Sequence, residues 1–271
     1  MSETERPPAG EPALDRIGED PHRTALFCDL DGTLAPIVDR PEDVQVPETT
    51  LEAVTRAADR LALCAIVTGR PALEARRLIG LDSISYAGNH GIELIARGEE
   101  GVQIDPLLAG HEDDARAFIV SLDKRELEEA GLRLEDKGPI VAIHWRGSEA
   151  AGREAMVERI VADAEAAGLI AHRGRMVLEI RPAVAIDKGM AVKRLLEGSP
   201  ETTSAIFIGD DRTDLDAFSA LDELVSSGDL SSALKVAVTS AETSDLDLGR
   251  RADLCLTDTA EVARFIERIA A

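Results

Sequence analysis

Short apolar runs that each stop at a polar cluster, with helix-spaced segments between them, constrain this chain most. Thr24–Cys28, Leu63–Val67, Ile84–Ala87 and Ala205–Ile208 have strand length and the composition of a buried sheet. They lead into Asp29-Leu30-Asp31-Gly32-Thr33, Thr68-Gly69-Arg70, Gly88-Asn89-His90-Gly91 and Gly209-Asp210-Asp211. Thr50–Leu61, Pro71–Ile79, Lys188–Leu196 and Asp214–Leu221 have helical spacing, and Pro71 stands in a first turn, where proline fits. Strands alternating with helices predict an α/β fold with a mostly parallel sheet covered on both faces. Open sheets of that kind bind ligands outside the carboxyl ends of their strands, and all four polar clusters fall there.

The pattern changes in the middle of the chain. Ile92–Ile95 and Val102–Ile104 read as a hairpin pair, His111–Glu129 as one long helix, and Leu132–Leu134 and Ile140–Trp145 as strands. Ala150–Ala167 reads as a second helix, and Leu169–His172 and Met176–Ile180 as strands around an Arg173-Gly174 turn. This order is α+β with antiparallel connections. We expect a discontinuous core, residues 20–91 and 184–271, with a smaller domain, 92–183, inserted into it. Lys235–Val238 and Leu254–Leu256 read as further strands, Thr243–Arg250 as a loop, and Thr259–Ile269 as a terminal helix. Met1–Glu19, polar and rich in Pro, Gly and Glu, reads as a loose tail without the apolar centre of a signal peptide.

With 52 acidic against 30 basic residues the formal charge is -22, the wrong sign for a nonspecific nucleic-acid binder or for an anionic membrane. No apolar stretch reaches transmembrane length. A phosphate ligand would need local Lys, Arg and a divalent cation to reverse the field. Cys28, Cys64 and Cys255 are too widely spaced for a disulfide framework or a metal knuckle, and Cys28 reads as buried filler. We expect a cytoplasmic protein whose partner is a small molecule, with neither nucleic acid nor membrane. Its oligomeric state is open and a monomer is allowed.

Asp29 and Asp31 stand at i and i+2, so a continued strand puts both on one face, where they address one ligand. The glycine turn after them offers backbone N–H groups to an anion. One carboxylate can attack phosphorus when the phosphate charge is neutralised, and the other can carry the proton in both halves of the reaction. Asp29, which closes the strand, is the better nucleophile. Thr68 alone would be a helix-opening residue, but its place at a strand end makes it a donor to a phosphoryl oxygen. Lys188 at a helix start opposes the helix dipole, which points to a role in balancing phosphate against Asp29. Asp210, Asp211 and Asp214 can supply Mg²⁺ with one direct oxygen ligand and further acceptors around it. An acid-rich helix start would also account for Asp214, but not for two consecutive acids directly after an apolar strand, and no His/Cys spacing supports zinc. In the insert, Lys137, Arg146, Arg175, Glu179 and Arg181 are candidate ligand contacts. His144 reads as structural rather than as a base, and Trp145 as either core or sugar platform.

These strings resemble the haloacid dehalogenase-like (HAD) phosphatases. The longer ones, Gly88-Asn89-His90-Gly91-Ile92-Glu93, Ala142-Ile143-His144-Trp145-Arg146 and Glu179-Ile180-Arg181-Pro182, are similar to the trehalose-6-phosphate phosphatase family. The resemblance implies a Rossmannoid core with an inserted α+β cap of the C2 type. It implies Asp29 as nucleophile, Asp31 as acid/base, and Thr68 and Lys188 holding the phosphoryl group. Mg²⁺ would take the Asp29 carboxylate, the Asp31 carbonyl and Asp210, with Asp214 close by. Gly69, Arg70, Asn89, His90, Lys137, His144, Arg146, Glu179 and Arg181 form the candidate substrate-binding set. The implied reaction is hydrolysis of trehalose 6-phosphate. Two departures stand out: Leu215 where the family commonly has an acid, and His144-Trp145-Arg146 where it usually has His-Tyr-Arg. They leave room for another disaccharide or pseudo-disaccharide phosphate. Further alternatives are a phosphomutase and a noncatalytic sugar-phosphate-binding protein.

Overall fold

The computed structural model describes residues 20–38, 40–174, 176–239 and 246–271. The expected tail, Met1–Glu19, lies outside the described residues, as do Arg175 and the first part of the Thr243–Arg250 loop. In chain order the first block is β1 (Thr24–Cys28), α1 (Glu48–Arg60), β2 (Leu63–Val67), α2 (Ala72–Ile79), β3 (Ser85–Gly88), β4 (Glu93–Ile95) and β5 (Gln103–Ile104). The middle block is α3 (Asp114–Val120), α4 (Lys124–Glu129), β6 (Arg133–Asp136), β7 (Val141–His144), α5 (Arg153–Ala166), β8 (Leu169–Gly174) and β9 (Val177–Pro182). The last is α6 (Lys188–Glu197), β10 (Ser204–Gly209), α7 (Asp214–Ser227), β11 (Ser232–Val238), α8 (Leu246–Arg251), β12 (Leu254–Leu256) and α9 (Thr259–Ile269).

The large sheet has the order β12-β11-β10-β1-β2-β3-β4-β5. From β12 to β3 every pair is parallel, and β4 runs antiparallel to β3. The central strands are apolar on both faces because each face meets its own helices. Leu26, Ile66 and Ile206 pack with Ala53, Ala75, Val262 and Ile266 of α1, α2 and α9. Phe27, Val67 and Phe207 pack with Val192, Leu195 and Phe218 of α6 and α7, the Phe207 and Phe218 rings meeting edge to face at 6.1 Å. From β1 the chain steps to β2 and β3 on one side, and later elements add β10, β11 and β12 on the other. The β1/β10 junction is therefore the topological switch point, where a ligand crevice is expected.

The middle block forms an antiparallel sheet, β6-β7-β9-β8. Its apolar face carries Val141, Ile143, Leu178 and Ile180 onto Ala115, Ile119, Val157, Ile160 and Ala164 of α3 and α5. By packing the chain divides into two compact units, Ile104–Ala185 and the remainder.

Three readings of the sequence change. The expected domain boundary at 92 moves to 103/104, because β4 and β5 extend the large sheet. The expected helix His111–Glu129 breaks at residues 121–123, where the Asp123 carboxylate caps a new start by accepting the N–H groups of Arg125 and Glu126. Leu246–Arg251, overlapping most of the expected Thr243–Arg250 loop, is helical, and Leu248 is buried.

Candidate active site

Parallel pairing brings the two acid turns side by side. Cys28 is in register with Ile208, and the Asp29 N–H donates to the Ile208 carbonyl at 2.9 Å. After β1 the chain folds back at once, with Gly32 N–H on the Ala35 carbonyl (2.8 Å) and Ala35 N–H on the Leu30 carbonyl (2.9 Å). Gly32 has φ +83°, and a Cβ there would lie 2.1 Å from Asp210 Oδ2. Only glycine meets both conditions. Thr33 Oγ1 donates to Asp210 Oδ1 at 3.3 Å, a second tie between the turns.

Lys188, the first residue of α6, joins the acids. Its Nζ lies 3.1 Å from Asp29 Oδ1 and donates to Asp214 Oδ1 at 2.6 Å. All three side chains are buried. Asp214 Oδ2 accepts the backbone N–H groups of Asp210 (2.9 Å) and Asp211 (3.0 Å), so this residue anchors both the turn and the lysine. Asp211 is exposed, and its Oδ1 accepts from the Thr213 N–H and hydroxyl at the start of α7.

Burial sets the protonation balance. It pushes the Asp29 carboxyl from 3.8 up to about 7 against the pull of Lys188, with the neighbouring acids adding to the rise. Asp214 is pushed up to about 6, again by burial first and against Lys188. Burial and then the Asp29 charge raise Asp210. Burial works against the Lys188 ammonium, but Asp214 and Asp29 outweigh it and hold Lys188 well above its usual range. The Cys28 thiol is raised mainly by burial, which removes it as a thiolate nucleophile.

One carboxylate oxygen each from Asp29, Asp210 and Asp214 lies within 4.8 Å of the others. When all are ionised, these three acids and Lys188 carry two uncompensated negative charges in a buried space. A divalent cation with all-oxygen preference, such as Mg²⁺, fits both the donors and the charge. The Asp31 side chain is not in this cluster. Its two oxygens accept from Arg70 Nε (2.6 Å) and Nη2 (2.8 Å).

Thr68 directly follows β2, and its Oγ1 accepts the Arg70 N–H at 3.2 Å. Asn89 and His90 clamp this loop from the next strand end. Their N–H groups donate to the carbonyls of Arg70 (2.8 Å) and Thr68 (2.9 Å), and both residues adopt positive φ. A Cβ at position 69 would fall 2.8 Å from His90 Nε2, so Gly69 leaves the space the imidazole fills. Glu93 completes the clamp by accepting from Asn89 Nδ2 (2.8 Å) and the Ala72 N–H (2.7 Å). Sequence reasoning assigned Glu93 no role, although it stands inside the motif string.

In the smaller unit, register places Glu135 and Glu179 on either side of Ala142, across one face of the sheet. Lys137 Nζ donates to Glu179 Oε1 at 2.8 Å, and His144 Nε2 lies 2.6 Å from Glu135 Oε2. Arg146 and Arg181 are half-buried in the same unit. Glu135 escaped the sequence reading; its i, i+2 spacing to Lys137 on a strand was the available signal.

Residues 27–249 match the family model described as trehalose-phosphatase. The chain belongs to the trehalose-phosphatase family. It is 33% identical over 259 residues to a trehalose-phosphate phosphatase of Mycobacterium tuberculosis (strain ATCC 25618 / H37Rv), covering 91% of this chain and 61% of that protein. It spans as little as 15% of the length of another curated relative. Among solved structures it is similar to a trehalose-6-phosphate phosphatase related protein, at 26% identity and TM-score 0.67, over 91% of this chain and 96% of that one. The C-terminal domain of a C. albicans trehalose-6-phosphate phosphatase shares the fold at 20% identity and TM-score 0.81, with 99% of each chain covered. Both departures from the trehalose-phosphatase pattern sit in packing positions. Trp145 belongs to the apolar cluster of the smaller unit, which decides for core over sugar platform, and Leu215 packs on the core cluster around Phe218.

Proposed function

We propose that this protein hydrolyses trehalose 6-phosphate to trehalose and inorganic phosphate, with Mg²⁺ as cofactor and a phosphoryl group carried transiently on Asp29. The observation that carries this reading is the buried contact of Lys188 with Asp29 beside Asp210 and Asp214. Asp29, Asp210 and the Asp31 carbonyl would hold the cation, with Asp214 anchoring the turn. When bound, the cation supplies positive charge that neutralises phosphate and keeps Asp29 ionised.

The remaining steps belong to the chain. Lys188 and the Thr68 hydroxyl hold the phosphoryl oxygens. An Asp29 oxygen attacks phosphorus, the bond from phosphorus to the sugar oxygen breaks, and Asp31 gives that oxygen a proton. Water then attacks phosphorus, Asp31 takes its proton, and the bond to Asp29 breaks. Lys137, His144, Arg146, Glu179 and Arg181 are the sugar-contacting set in this reading, with Gly69, Asn89 and His90 shaping the phosphate loop.

Phosphate release across a panel of sugar phosphates, with Mg²⁺ and with chelator, tests class, cofactor and substrate together. The expected result is Mg²⁺-dependent release with the highest kcat/KM for trehalose 6-phosphate. Asp29→Asn should lower kcat by at least about 10⁴-fold, a loss on the scale of removing a covalent nucleophile. Wild-type turnover by that variant would end the covalent scheme. A higher kcat/KM for another disaccharide phosphate would change the substrate and leave the chemistry.

A further inference from the structure

We propose that Arg70 is a positioning residue that orients Asp31 for proton transfer, backed by Glu74 and the Pro41 carbonyl. This rests on the acid/base reading of Asp31 given above. Asp31 stands in the turn after β1 with its side chain 36% exposed, whereas the Arg70 side chain is 9% exposed. A carboxylate on so short and open a turn has two torsions free to rotate. Here both its oxygens are taken by one planar fork, Nε to Oδ2 at 2.6 Å and Nη2 to Oδ1 at 2.8 Å. Two parallel bonds fix the plane of the carboxylate as well as its place. Among the described residues, Arg70 is the side chain that hydrogen-bonds the Asp31 carboxylate.

The guanidinium is itself held. Nη1 donates to the Pro41 carbonyl at 3.1 Å and to Glu74, one helical turn further along. At the backbone, the Arg70 N–H bonds Thr68 Oγ1 and the Arg70 carbonyl accepts from Asn89. Four of its five N–H groups therefore meet protein acceptors. That leaves little of the residue for a substrate, and it replaces our expectation of Arg70 as a substrate contact. The same carboxylate must face the leaving sugar oxygen in one half-reaction and the attacking water in the other. Arg70 sets the plane from which it reaches both.

The test is a double-mutant cycle with a leaving-group comparison. Arg70→Ala should cut kcat for trehalose 6-phosphate by about 10²-fold, the lower range for general acid–base catalysis, with KM nearly unchanged. Arg70→Lys should not restore it, because a point charge cannot make the fork. Arg70→Ala combined with Asp31→Asn should be no slower than Asp31→Asn alone. With p-nitrophenyl phosphate, whose phenolate departs without a proton, Arg70→Ala should keep the pre-steady-state burst of p-nitrophenolate. Multiplicative losses in the double variant, a raised KM at unchanged kcat, or loss of the burst would each overturn the proposal. Should Arg70→Ala not fold, Glu74→Gln serves instead. Its expected fall in kcat must vanish in the Asp31→Asn background, and wild-type kcat in Glu74→Gln overturns the relay. If wild-type enzyme prefers another sugar phosphate, only the substrate reading changes and the cycle is run on that compound. Wild-type turnover by Asp31→Asn overturns both readings.

Discussion

Lys188 is one positive charge set between buried carboxylates, and its removal leaves Asp29 and Asp214 facing each other uncompensated. Breaking such a pair from one side costs about 3–5 kcal/mol. Lys188→Met should therefore lower urea stability by roughly 3 kcal/mol in chelator. The loss should be larger at pH 8 than at pH 5, because at the lower pH the two acids escape repulsion by taking protons. Equal losses at both pH values would mean that packing, not charge, explains the lysine. The aspartates were legible in the sequence because charge at the end of a strand wholly apolar on both faces needs a reason, and Lys188 because a cation at a helix start opposes the dipole. The sequence did not reveal which acceptor Arg70 chooses. A guanidinium three residues past a strand can turn to phosphate or to protein, and only the fold places Asp31 within its reach.

The acid turns after β1 and β10 form one electrostatic element, and its net charge makes the metal-free protein sensitive to pH. Asp29 at about 7 and Asp214 at about 6 both lie above the ordinary 3.8 of an unfolded chain. Between about pH 4 and 7 the folded cluster thus holds more protons than the unfolded chain, so stability falls as pH rises through that window. A cation competes with those protons and binds more tightly at higher pH. Thermal melts in chelator should show Tm dropping from pH 5 to pH 8. Saturating Mg²⁺ should raise Tm more at pH 8, by a stabilisation of about 2.7 kcal/mol at a hundred times Kd. A Mg²⁺ effect that does not change with pH would separate the cation from these carboxylates. At this scale the strands β1 and β2 coincide with their apolar runs, since burial on both faces leaves a clean signal. The helix break before Asp123 and the switch of β4 and β5 to the large sheet were not legible. A cap uses one polar residue in a helical stretch, and an antiparallel edge reads alike in either domain.

At the scale of the whole molecule, the two units carry separate apolar clusters, and the single tryptophan, Trp145, lies in that of the smaller one. Tryptophan fluorescence should follow that unit alone, while far-UV circular dichroism follows both. Urea transitions by the two probes should not coincide, the mark of more than two states. Coincident curves would show a single cooperative unit. The sequence disclosed the insertion through its change of pattern, but the boundary depended on pairing between strands. Pairing also fixes an order of events. Thr24 lies against Ser204, so the strand that begins the core waits for one made nearly two hundred residues later. On the ribosome the inserted unit is complete first and can collapse on its own, while β1 has β2 on one side and still lacks β10 on the other. A message cut short before Ser204 would thus yield a chain with a finished insert but with neither β10 nor the Asp210 and Asp214 of the buried acid cluster, however well that insert had formed.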